Sequence, residues 1–184
     1  MPPRPSRTRD QIVATALDVV ERNGLERFSM RKLADALDAG TMSVYAYFAD
    51  KEDLLDAMVA TVLGEIELAE GPTGRDVLTA WAGETRRALL GHQGLVPLVM
   101  SPDRRHLLDH LAGEVQLKVR RLGLSDAAAG RHVAVVGRYL IGAVILDTAS
   151  SPSAPGQRNA ADRNFRVGLE AVLDGIAAGG SDGL

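Results

Sequence analysis

Residues 29–51 read SMRKLADALDAGTMSVYAYFADK. Ser29 is placed to cap a short helix that buries Leu33, Ala34 and Leu37. That helix breaks at Asp38-Ala39-Gly40, where aspartate tolerates left-handed backbone better than most residues. A second short helix is predicted from Thr41 to Phe48, carrying Thr41, Met42, Ser43, Tyr45 and Tyr47. Two brief helices across a tight turn make a helix-turn-helix. Small polar and phenolic side chains on the second, close behind Arg31 and Lys32, suit the major groove of DNA. Tyr45 and Tyr47 lie two apart and cannot share one face of a helix. Phe28, Leu33, Leu37, Val44 and Phe48 are the candidate core of this unit.

Working outward, Thr8 and Gln11 form a capping box for a preceding helix. In it Ile12, Val13, Ala16, Leu17 and Val20 recur at helical spacing, and Asn23-Gly24 ends it. Residues 1–8 read as a Pro/Arg-rich arm; Arg4, Arg7 and Arg9 are candidates for the minor groove, with a solvated tail as the alternative. On the other side, Asp50 is an N-cap and Lys51 a candidate phosphate clamp. An apolar stripe of Leu54, Leu55, Met58, Val59, Val62, Leu63 and Ile66 predicts a helix from Lys51 to about Glu70, stopped by Gly71-Pro72. Further helices are predicted at about 74–90, 103–122, 125–149 and 160–178. A short piece at 95–100 is interrupted by Pro97, residues 150–158 read as a loop, and the tail GGSDGL reads as frayed. No segment alternates like a strand, so the fold class is all-α.

The pieces from Arg9 to Met58 jointly resemble the TetR family of one-component transcriptional regulators. Those pieces are Asn23-Gly24, Ser29, Arg31-Lys32-Leu33-Ala34, Tyr45-Ala46-Tyr47-Phe48, and Lys51 with Leu54-Leu55. The resemblance implies an N-terminal three-helix DNA-binding domain over 1–51 and a helical effector-binding and dimerisation domain over 52–184. It implies a repressor that binds a near-palindromic operator as a homodimer and answers to a small-molecule effector. It places Arg31, Thr41, Met42, Ser43, Tyr45, Tyr47 and Lys51 at the DNA, with both tyrosines on the phosphate backbone. Two departures stand in the turn: Asp38 replaces a common glycine and Gly40 the usual capping residue. They support the alternative of a helical ligand-binding or interaction protein with weakened or absent DNA binding.

Composition sets the remaining bounds. With 46% apolar residues over 184 positions, the chain has material for a core. It has no cysteine, which removes disulfides and thiolate chemistry. The net charge of −3 argues against DNA binding only as an average. Residues 1–51 hold eight Arg/Lys against seven acids, and the remainder thirteen against seventeen. Phosphates respond to local charge, not to the average. The longest apolar run, 133–146, reads as too short and too polar to span a bilayer, and the start lacks the apolar stretch of a secretory signal. These points favour a cytoplasmic protein without a membrane partner.

No enzyme signature is present: no nucleophile elbow, no phosphate loop and no implied cofactor. His106 and His110 are spaced i, i+4, a spacing that also suits metal ligands, but surface histidines without metal are the expected reading. Trp81, Met100, Leu107, Leu111, Val115 and Tyr139 are candidates for an effector cavity. With seven aromatic residues in all, that cavity should be mostly aliphatic. Val135, Ile141, Ile145, Phe165, Leu169 and Val172, on the last two helices, are candidates for the dimer interface.

Overall fold

The computed structural model describes residues 7–150 and 155–179, with side chains at 155 and 156 left aside. Among the described residues there are nine α-helices and no strand. They are α1 (Arg9–Asn23), α2 (Met30–Ala36), α3 (Thr41–Tyr45), α4 (Lys51–Gly64), α5 (Gly74–Gly91), α6 (Val96–Val99), α7 (Arg105–Arg121), α8 (Asp126–Ser150) and α9 (Pro155–Gly179).

Local chemistry explains most helix starts. The Thr8–Gln11 capping box opens α1, and Gly24 ends it at a φ of 79°, a region open chiefly to glycine. Ser29 accepts the Lys32 N–H at the start of α2, and Asp50 accepts the Asp53 N–H at the start of α4. A second capping box, Thr73 with Asp76, opens α5. The Ser125 hydroxyl accepts the Ala128 N–H at the head of α8.

Several boundaries differ from the sequence reading. Helix α3 stops at Tyr45, and the Tyr47 and Phe48 N–H groups both turn back to the Val44 carbonyl. Helix α4 stops at Gly64, six residues before Glu70. Ile66 keeps the apolar spacing because it is buried from a turn beyond the helix. Part of the expected loop at 150–158 is helical, since α9 already begins at Pro155. Arg4 and the GGSDGL segment beyond Gly179 lie outside the described residues.

Packing is continuous from the first helices to the last. Val13, Val20, Leu33, Val44, Leu54, Met58, Leu78, Leu95, Val136 and Leu173 belong to one buried cluster. Helix α1 packs on α2 and α4, α3 on α2, and α8 on α5, α7 and α9. Contrary to the sequence reading, α8 is long and apolar enough, by length and composition, to cross a membrane. The run 133–146 is too short to span on its own, but the helix that contains it is 25 residues long. Here one side of α8 contacts its neighbours, while Val135, Ile145 and Leu146 are exposed.

Candidate nucleic-acid interface and effector cavity

The head is built around α3. Val44 and Phe48, each 1% exposed, anchor it against Leu33 in the core. This leaves Met42 (80% exposed), Ser43 and Tyr45 (43%) facing outward together. Thr41 is half-buried. So is Tyr47, which packs on the core and not fully outward beside Tyr45. Arg31, at the start of α2, is exposed without an ion pair among the described residues. Lys51 is also exposed, its Nζ 5.8 Å from the Phe28 ring centroid.

The turn between α2 and α3 closes with two backbone bonds, Asp38 N–H to the Asp35 carbonyl and Ala39 N–H to the Ala34 carbonyl. This pattern ends a helix on a left-handed residue. Asp38 takes that position with a φ of 47°.

Arg9 does not extend toward a groove. It donates to the Tyr47 carbonyl (2.9 Å) and to Asp53 (2.8 Å), and its guanidinium lies 4.2 Å from the Phe48 ring centroid. One side chain of α1 thus ties the turn that follows α3 to the start of α4. The Ala49 N–H and then Arg9 hold the Asp53 carboxyl below its usual range. Arg7 likewise folds back, donating to the Leu37 carbonyl.

A second set of contacts links α4 to the rest of the chain. Arg104 is buried, with its side chain 6% exposed, in the 3-10 turn that precedes α7. It donates to Glu52 at 2.6 Å and lies 2.8 Å from Asp56. Both acids are on α4, one turn apart. His92 pairs with Glu65 at 3.2 Å. Gly94 presses on α1: a Cβ there would sit 3.2 Å from Val20.

A cavity of about 350 Å³ opens among α5, α7 and α8. Trp81, Met100 and Leu111 line it, as do Thr85, Leu89, Leu108, Ala112, Val133 and Leu140; Arg105, Asp109, Gln116 and Arg138 add polar groups. Leu107 is displaced from the lining by its neighbour Leu108, because one residue turns a helix by about 100°. Val115 is fully buried in the core, and Tyr139 points elsewhere, donating to the Phe165 carbonyl at 2.8 Å. Tyr139 instead lines a wider hollow of about 740 Å³ between α8 and α9.

The dimer candidates also separate. Val135 and Ile145 are exposed, and Val172 is half-buried. Ile141 lines the α5–α7–α8 cavity, and Phe165 and Leu169 are buried within the chain. On these two helices Leu146 and Val167 are also exposed, and the sequence reading did not single them out. His106 and His110 are exposed, and no group of three metal-binding side chains forms among the described residues.

The geometry defines a helix-turn-helix head joined to a helical body that encloses a cavity. Residues 12–58 match the family model for bacterial regulatory proteins of the tetR family. A repressor of Streptomyces coeruleorubidus, DrrR1, is 34% identical over 149 residues, covering 77% of this chain and 54% of that protein. An HTH-type transcriptional regulator of Saccharopolyspora erythraea is 42% identical over 91 residues, covering 48% and 39%. The chain therefore spans about half the length, or less, of these curated relatives. Among solved structures, Mycobacterium smegmatis BioQ superposes with a TM-score of 0.74 at 25% identity, covering 95% of this chain and all of that one. The chain belongs to the TetR family.

Proposed function

We propose that this protein is a sequence-specific, DNA-binding transcriptional repressor that works as a homodimer and is released from its operator by a small molecule. The reading divides the chain into a DNA-binding head, 1–51, and an effector and dimerisation body, 52–184. The observation that carries it is the outward face of α3. Met42, Ser43 and Tyr45 are exposed together on a helix held rigidly from behind by Val44 and Phe48, with Arg31 and Lys51 exposed at its flanks. Ser43 and Met42 suit base edges, whereas Tyr45, Arg31 and Lys51 suit phosphates. The relatives named as regulators and repressors favour this over an enzymatic role, and the protein would act in the cytoplasm, where its DNA lies.

The exposed apolar residues Val135, Ile145 and Leu146 on α8 and Val167 on α9 support a two-fold dimer through these helices. Release follows from the linkage of cavity to head. A ligand among α5, α7 and α8 bears on α7, and α7 begins at the turn where Arg104 grips Glu52 and Asp56 of α4. Helix α4 starts at Lys51 and is tied to α1 and the end of the recognition segment through Arg9. A ligand that prefers a shifted α7 thereby favours a different head spacing.

The test is a mobility-shift titration on DNA from just upstream of the gene, with competitor DNA and at two salt concentrations. A competitor-resistant, salt-sensitive shift supports the reading. No shift on any upstream segment, or one abolished by competitor, overturns it.

A further inference from the structure

Two residues of the cavity wall carry buried polar groups without a hydrogen-bond partner among the described residues. Trp81 and Thr85 sit i, i+4 on α5, on the face that lines the cavity, and are 5% and 3% exposed. Neither the Trp81 indole Nε1 nor the Thr85 hydroxyl has a hydrogen-bond partner among the described residues. A buried threonine in a helix usually donates to the carbonyl one turn back, and a buried indole N–H usually finds an acceptor. Around them the wall is aliphatic: Leu89, Met100, Leu111 and Leu140. Both unmatched groups are donors, and one residue, Thr85, is also an acceptor.

Resting on the reading of this cavity as the effector site, we propose that its ligand is a neutral, largely apolar molecule carrying a carbonyl-type acceptor that is seated against Trp81 and Thr85. An ammonium is disfavoured there, because the indole can only donate. A carboxylate would enter an aliphatic chamber whose arginines, Arg105 and Arg138, are exposed. A pure hydrocarbon would fill the volume but leave both donors as they are. A site with buried donors discriminates steeply against a ligand lacking the matching acceptor.

Benzophenone and diphenylmethane test this, since they share a shape and differ in one carbonyl. Calorimetric titration of the full chain should give benzophenone at least about a tenfold tighter Kd than diphenylmethane. Thr85→Val keeps the side-chain shape and removes the hydroxyl. It should shrink that preference to within about threefold while leaving diphenylmethane binding unchanged. Trp81→Phe is the second variant and should shrink it in the same sense. Irradiation of the benzophenone complex should place its photo-crosslinks on α5, α7 and α8. Equal binding of the two compounds, binding of neither, a preference untouched by both substitutions, or crosslinks confined to other helices would each overturn the proposal. The mobility shift reports separately: operator binding without carbonyl preference sinks only this inference, and carbonyl preference without operator binding sinks only the repressor reading.

Discussion

Asp38 holds the left-handed position that closes α2, where glycine is the low-cost residue. A side chain there costs about 1–2 kcal/mol, part of which glycine returns as entropy lost from the unfolded chain. Asp38→Gly should therefore stabilise the protein by about 0.5–1 kcal/mol, read as a higher denaturation midpoint with an unchanged slope. It also removes a carboxylate from the turn before α3, so on the repressor reading nonspecific DNA affinity should rise with it. Asp53 gives a pH-dependent case. Its carboxyl is depressed in the folded state, so its contribution is present above the unfolded pKa and fades as pH falls through the folded one. Melting curves of the wild type and Asp53→Asn should differ near neutral pH and converge in acid. A constant gap would show that Arg9 and Ala49 do not hold the charge. The capping residues Thr8, Ser29, Asp50 and Thr73 define helix starts by chemistry local to three or four positions. Thr8, Ser29 and Asp50 were accordingly legible from sequence. Arg9 was not, because its partners at Tyr47 and Asp53 are distant in the chain.

At the scale of elements, the contact of α8 with α9 turns on one glycine. A Cβ on Gly168 would lie 2.3 Å from the Tyr139 hydroxyl oxygen. Gly168→Ala gains about 1 kcal/mol of helix propensity but forces two packed helices apart, an overpacking cost of about 1–3 kcal/mol. The net change should be destabilising. Adding Tyr139→Phe, which removes the closest atom, should recover part of it; a single substitution that raises the melting temperature would refute the packing. Helix existence was readable from apolar spacing throughout, and the end of α1 from Asn23-Gly24, whereas the ends of α3 and α4 were not. The stripe through Ile66 predicts a longer α4 because burial continues after the backbone has left the helix. The same spacing cannot tell which leucine of α7 faces a neighbour and which faces a void, so Leu107 stood in for Leu108. Thr85, a lone hydroxyl one turn from Trp81 on an apolar face, was a signal present in the sequence and passed over.

For the molecule as a whole, Arg104 presents an asymmetry. It is buried, while Glu52 and Asp56 are exposed. Removing both carboxylates (Glu52→Gln with Asp56→Asn) leaves a buried cation unpaired and should cost about 3 kcal/mol or more. Arg104→Met leaves two carboxylates that water can solvate, and should cost far less. If the repressor reading holds, that variant still binds operator but is released poorly by ligand. At the DNA, Lys51→Ala should weaken binding to all sequences alike and lower the slope of log affinity against log salt by about 0.9, whereas Ser43→Ala should change preference at one base pair. An unchanged slope would remove Lys51 from the phosphates.

The only tryptophan in the chain is Trp81, and it stands in the wall of the cavity. Excitation of that indole therefore reports on one place alone. The molecule carries its own optical gauge of cavity occupancy, with no label attached. On the repressor reading, emission followed alongside operator release would time the filling of the body against the departure of the head.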